Sequence, residues 1–101
     1  MIDVSSRQLE IIQKILRKHA PDCEVRAFGS RAGRVAKDYS DLDLVVVGQK
    51  KLPGQIIHAL KEDFAESDLP FRVDVLDWNA ISKEFQKIIE KKYEVIQKAD
   101  G

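Results

Sequence analysis

At 101 residues the chain has material for one domain and one modest core, which excludes a catalytic domain joined to a separate substrate domain. Hydrophobic residues make up 44% and charged residues 34%, an ordinary globular balance. Its 17 Lys and Arg are matched by 17 Asp and Glu, and a chain without basic excess is not expected to grip a nucleic-acid backbone directly.

In chain order, MIDVSSRQLE shows no basic stretch leading into an apolar one, so no secretory signal is expected and the location is read as cytoplasmic. Ser5 and Gln8 have capping-box spacing, and Leu9, Ile12 and Leu16, with Ile11 and Ile15, recur at helical spacing. Pro21 disfavours helix in the residue before it, which stops this first helix near His19. Cys23 is the only cysteine, so neither a disulfide within the chain nor a thiolate zinc site is expected.

EVRAFG, residues 24–29, predicts a short strand ended by Gly29 and Ser30, and residues 31–40 read as a loop. LDLVVVG, residues 42–48, predicts a strand buried on both faces. Its aliphatic run, residues 44–47, is far short of the ~20 residues a membrane helix needs, so no membrane span is expected. Ile56, Ile57, Leu60 and Phe64 predict a second helix over 53–66, and FRVDVLD alternates as a third strand over 71–77. A third helix starts at Asn79 or Ser82, with Asp77 read as the cap, and YEVI predicts a short fourth strand. The pattern implies an α+β fold, a small mixed β-sheet flanked by helices, in a single domain over 1–101.

Asp41 and Asp43 lie two apart in an extended segment, so they share a face, their backbones roughly 6–7 Å apart. Two carboxylates converging in a partly dry site repel and raise each other's pKa. A divalent ion reverses this by holding both ionised as ligands. Hard oxygen donors without histidine or thiolate favour magnesium or manganese over zinc. Asp74, on the face of its strand opposite Val73 and Val75, joins the pair if the third strand lies beside the second, ~4.8 Å away. Such a triad suits two ions ~3.5–4 Å apart, the geometry of in-line phosphoryl or nucleotidyl transfer. Gly29 lets the backbone approach a phosphate, Ser30 adds a hydroxyl donor, and Arg31, with Arg34, could neutralise a triphosphate.

The stretch FGSRAGRVAKDYSDLDLVVVG, residues 28–48, with RVDVLD, residues 72–77, resembles the minimal nucleotidyltransferases of the DNA polymerase beta superfamily. These short proteins are typically encoded beside a HEPN-domain toxin, and the resemblance covers nearly the whole chain. It implies the nucleotidyltransferase fold, with Gly29 and Ser30 as the nucleotide-phosphate turn. Asp41 and Asp43 correspond to the magnesium pair and Asp74 to the third catalytic carboxylate, so two Mg2+ ions are expected, with Mn2+ as the substitute. The implied activity is transfer of AMP from ATP, or another NTP as donor, to a tyrosine hydroxyl of the toxin, which makes the chain an antitoxin. Many relatives read Ala-Arg-Gly after Gly-Ser-Arg; here the residues are Ala32, Gly33 and Arg34, so no catalytic role is assigned to Arg34.

Two further readings stay open at this point. One is a non-catalytic antitoxin that neutralises its toxin by binding; the other is a small-molecule nucleotidyltransferase completed by dimerisation. Both a homo-oligomer and a hetero-oligomer with the toxin are compatible with the sequence. His19 and His58 lack metal-ligand spacing and are read as surface residues, Trp78 as a core or partner contact, and Cys23 as structural.

Overall fold

The computed structural model describes residues 4–29 and 41–99. Helix α1 (Ser6–His19) starts at the expected capping box: the Ser5 hydroxyl accepts from the Gln8 amide at 3.1 Å, and Gln8 Oε1 accepts from the Ser5 amide at 2.9 Å. Arg17, Lys18 and His19 occupy its last turn, where cations complement the exposed carbonyls. Strand β1 (Glu24–Phe28) pairs antiparallel with β2 (Leu42–Val47). Helix α2 (Gly54–Glu66) then carries the chain to β3 (Val73–Asp77), which runs parallel to β2. A 3-10 turn (Trp78–Ala80) leads into α3 (Lys83–Lys91), and β4 (Glu94–Gln97) returns antiparallel to the outer side of β1. Among the described residues the result is a mixed four-stranded sheet in the order β3-β2-β1-β4 with three α-helices, an α+β architecture.

Three boundaries are sharper than the sequence alone allowed. The third helix starts at Ser82, whose hydroxyl accepts from the Phe85 amide at 3.1 Å; Asn79 belongs to the preceding 3-10 turn. Asp77 caps that turn rather than α3, accepting from the Asn79 amide at 3.0 Å. It also accepts from the Leu52 amide at 2.8 Å, which ties the β2–α2 connection to the end of β3. Strand β3 begins at Val73, so Phe71 and Arg72 lie outside it, although Phe71 still packs into the core. The expected YEVI strand exists, shifted one residue to Glu94–Gln97.

Alternation along the strands sorts side chains onto two faces. Val25, Ala27, Leu42, Leu44, Val46, Val73 and Val75 point to one face and meet Ile12 and Leu16 of α1 and Leu60 and Phe64 of α2. Each fully buried Leu or Val here contributes ~1.5–3 kcal/mol relative to exposure. The other face is covered by α3, where Ile89 and Val45 are both essentially inaccessible and the Phe28 and Phe85 rings meet edge to face at 5.8 Å. The sequence reading of β2 as buried on both faces therefore holds at Val45. It fails at Asp43 and Val47, which are only half-buried.

Candidate active site

The start of β2 is where the candidate residues gather. In the parallel pairing of β2 with β3, Asp43 and Asp74 are direct register partners, so both carboxylates project from the same face of neighbouring strands. On its other side Asp43 pairs with Phe28, the last residue of β1. Gly29 follows with φ +79°, a conformation that costs a residue bearing Cβ roughly 1–2 kcal/mol. A Cβ built on Gly29 would fall 2.3 Å from Asp43 Oδ2, so the bare glycine backbone and the carboxylate occupy one another's space. Glycine is required here twice over, by its backbone conformation and by this approach. Ser30, Arg31, Arg34 and Lys37, the rest of the expected phosphate turn and loop, lie outside the described residues.

The electrostatics follow from this crowding. Burial raises the Asp43 pKa above the ordinary carboxylate value, and the neighbouring charges of Asp74 and then Asp41 raise it further. Asp74 and Asp41 thus both act on Asp43. They are not drawn equally close: among the described residues, no group of three or more His, Cys, Asp or Glu is gathered tightly enough to hold an ion as it stands. Asp74 has a competing partner, since the Nε of Arg72 lies 3.2 Å from its Oδ1. Asp41 precedes the first residue of β2 and is open to solvent. The donor set is nevertheless purely carboxylate oxygen, and the excess negative field at Asp43 is what a hard divalent cation would relieve, so these residues fit magnesium or manganese.

Two basic residues near Asp74 escaped the reading of the sequence. Arg72 sits two residues before Asp74, a spacing that signals a shared direction in extended chain, but its ion pair depends on the local fold. Lys61, from α2, lines a cavity of about 410 Å3 together with Phe64, Phe71, Arg72 and Asp74. Nothing in the sequence signals that approach across 13 positions.

The remaining polar residues stabilise the frame. The Arg26 guanidinium lies over the rings of Trp78, at 4.9 Å, and Tyr93, at 4.5 Å, and pairs with Glu24. Trp78 is therefore a framework contact, in keeping with its expected role. His19 Nε2 meets Asp63 Oδ2 at 2.6 Å, tying the end of α1 to α2, and this bond lowers the Asp63 pKa, with Lys18 adding to the effect against burial. His58 is exposed and faces Glu62 at 3.0 Å. Cys23 is a buried free thiol whose pKa is pushed up by burial and then by Asp22 and Asp77. No helix among the described residues is long and apolar enough to cross a membrane.

Known proteins resemble this chain in sequence or in fold. A probable protein adenylyltransferase, MntA of Haemophilus influenzae, is 48% identical over 99 residues, covering 98% of this chain and 87% of its own length. The fold matches that of a toxin-antitoxin crystal structure with AMP-PNP at a TM-score of 0.73, with 23% identity over 91% of this chain and 74% of that one. It also matches a solved structure of tri-AMPylated Shewanella oneidensis HEPN toxin in complex with MNT antitoxin, at a TM-score of 0.69 and 22% identity, over 89% of this chain and 69% of that one. At such identities these two structures speak for the fold alone. Residues 9–97 match the family described as nucleotidyltransferase domain, and with its α+β frame and its 48% identical relative the chain belongs to that family.

Proposed function

We propose that this chain is a magnesium-dependent protein adenylyltransferase that acts as an antitoxin, moving AMP from ATP onto a tyrosine hydroxyl of a HEPN-domain ribonuclease toxin in the cytoplasm. One observation carries the reading: Asp43 and Asp74 are register partners on adjoining strands, with the Gly29 backbone packed against the Asp43 carboxylate. Support comes also from the 48% identity with the probable protein adenylyltransferase and from the tri-AMPylated toxin held by a structural neighbour. Repeated transfer belongs to the proposal for that reason.

Asp41, Asp43 and Asp74 would hold two Mg2+ ions, with Mn2+ as substitute, which when bound supply charge neutralisation for the triphosphate. Gly29, Ser30 and Arg31 cradle the phosphates through backbone approach, hydroxyl and guanidinium. The tyrosine oxygen attacks the α-phosphorus, the bond from that phosphorus to the bridging oxygen breaks, and pyrophosphate leaves. Asp74 accepts the hydroxyl proton. The acceptor arrives on the toxin, so the working unit is a hetero-oligomer with it.

Incubation with a HEPN partner, magnesium and ATP, followed by intact mass spectrometry of the partner, tests this. The wild type is expected to add AMP, and Asp41→Asn/Asp43→Asn is expected to add none and to lose protection of cells. If the double variant still protects and still forms the complex, neutralisation works by occlusion and the catalytic reading falls. Transfer to a small molecule without any partner protein would instead support the dimer-completed enzyme.

A further inference from the structure

The cavity at the outer edge of the sheet has a composition that the first transfer does not need. Its lining includes Asp74 and apolar side chains, Phe64, Leu69 and Phe71, together with two cations, Lys61 and Arg72. Its volume of about 410 Å3 lies within the ~300–1,000 Å3 typical of small-molecule sites. A tyrosine phenol is neutral and asks only for apolar walls and a proton acceptor. Where a further AMP is added to one already in place, the acceptor is different: the attacking group is then a ribose hydroxyl, and it brings a phosphodiester anion with it. That anion must approach Asp74, with Asp43 beside it and Asp41 close enough to raise the Asp43 pKa. The ions proposed above would be engaged by the carboxylates and the incoming triphosphate, so this further anion calls for cations of its own on the acceptor side.

Resting on the transfer reading above, we propose that this cavity is an acceptor subsite for the adenylylated tyrosine, in which Lys61 and Arg72 hold the phosphodiester of an AMP already added and so permit further additions. The Arg72 guanidinium carries five N–H donors in a fixed fork, and the Asp74 contact uses its Nε, so one side chain can orient the carboxylate and offer donors to a phosphate. Lys61 is exposed on α2 and supplies a compact positive charge at the same wall. In each further addition the ribose hydroxyl oxygen bonds to the α-phosphorus of a new ATP, its proton passes to Asp74, and pyrophosphate leaves with the broken bond.

Lys61 carries the test, because Arg72 also holds Asp74. Wild type, Lys61→Ala and Lys61→Arg are each incubated with the HEPN partner, magnesium and ATP, and the AMP ladder on the partner is followed by intact mass against time. Lys61→Ala is expected to keep the rate of the first addition and to slow later ones roughly tenfold, the order expected for losing one charge-assisted hydrogen bond. Lys61→Arg is expected to restore the ladder. A Lys61→Ala ladder identical to wild type overturns the subsite, as does equal slowing of every addition, which would mark Lys61 as a docking residue. A wild type that adds a single AMP overturns the subsite and, with it, repeated transfer, but leaves the first transfer standing, whereas a wild type that adds none overturns the transfer reading as a whole.

Discussion

On the face of the sheet turned toward α1 and α2, Val25, Ala27, Leu42, Leu44 and Val46 are completely shielded from water. On the opposite face the same strands carry Arg26, Asp43 and Asp74 beside Val45 and Phe28. The backbone hydrogen bonds are common to both, so the difference lies wholly in what the side chains face. The first set gains free energy from leaving water and from close packing. The second contains Asp43, which is held among like charges and partly desolvated, a position that weakens the fold while it concentrates negative potential. One pleated frame therefore separates stability from chemistry by the parity of residue number. The buried acid on the stabilising side underlines the contrast. Asp77 is only 7% exposed, but two backbone amides donate to it, and it serves as a brace.

Substitutions on the two faces should then move stability in opposite directions. The largest effect is expected at the shielded face: Leu44→Ala should cost about 2–5 kcal/mol, read as a lowered denaturant midpoint, because the cavity left between two helices and the sheet cannot collapse fully. A smaller cost is expected at the rim: Gly29→Ala should lose roughly 1–2 kcal/mol from its positive φ. Its transfer activity should fall further than that loss implies, since the new methyl group must displace the Asp43 carboxylate. Full activity in a folded Gly29→Ala protein would separate the turn from the acid site. The smallest shift has the opposite sign: Asp43→Asn should raise Tm by a few degrees at pH 7 while transfer is lost. Because the folded pKa of Asp43 lies above its unfolded value, its penalty operates above the folded pKa and disappears below the unfolded one. The advantage of Asp43→Asn should therefore shrink as pH falls through the carboxylate range. A variant less stable than wild type at pH 7 would show that Asp43 belongs with the bracing acids instead.

Much of this was legible along the chain. Ser5 and Gln8 announced the start of α1, and the helical spacing of Leu9, Ile12 and Leu16 its buried side. The alternation in residues 71–77 placed Asp74 opposite Val73 and Val75, as observed. Helix and strand edges were less exact: the start of α3 turned on whether Asn79 or Ser82 would cap it, and either residue type makes a good cap. Asp77 was assigned to the wrong element for a related reason, since its partners are settled by which amides the 3-10 turn and Leu52 bring within reach.

The sequence by itself determined the local matters: which segments are helical or extended, which side of each is apolar, and that a Gly-Ser turn precedes an Asp-x-Asp pair by ten residues. These depend on dihedral preference and on the repeat of each element, both of which act over a few residues. Only the tertiary structure decided that Asp43 lies level with Asp74, that Gly29 packs against the Asp43 carboxylate, and that Lys61 shares a wall with Asp74. Those facts depend on strand register and on how α2 packs against the sheet. A slip of one residue in β3 would turn Asp74 toward the apolar core, and burying Leu42, Leu44 and Val46 together with Val73 and Val75 is what forbids it.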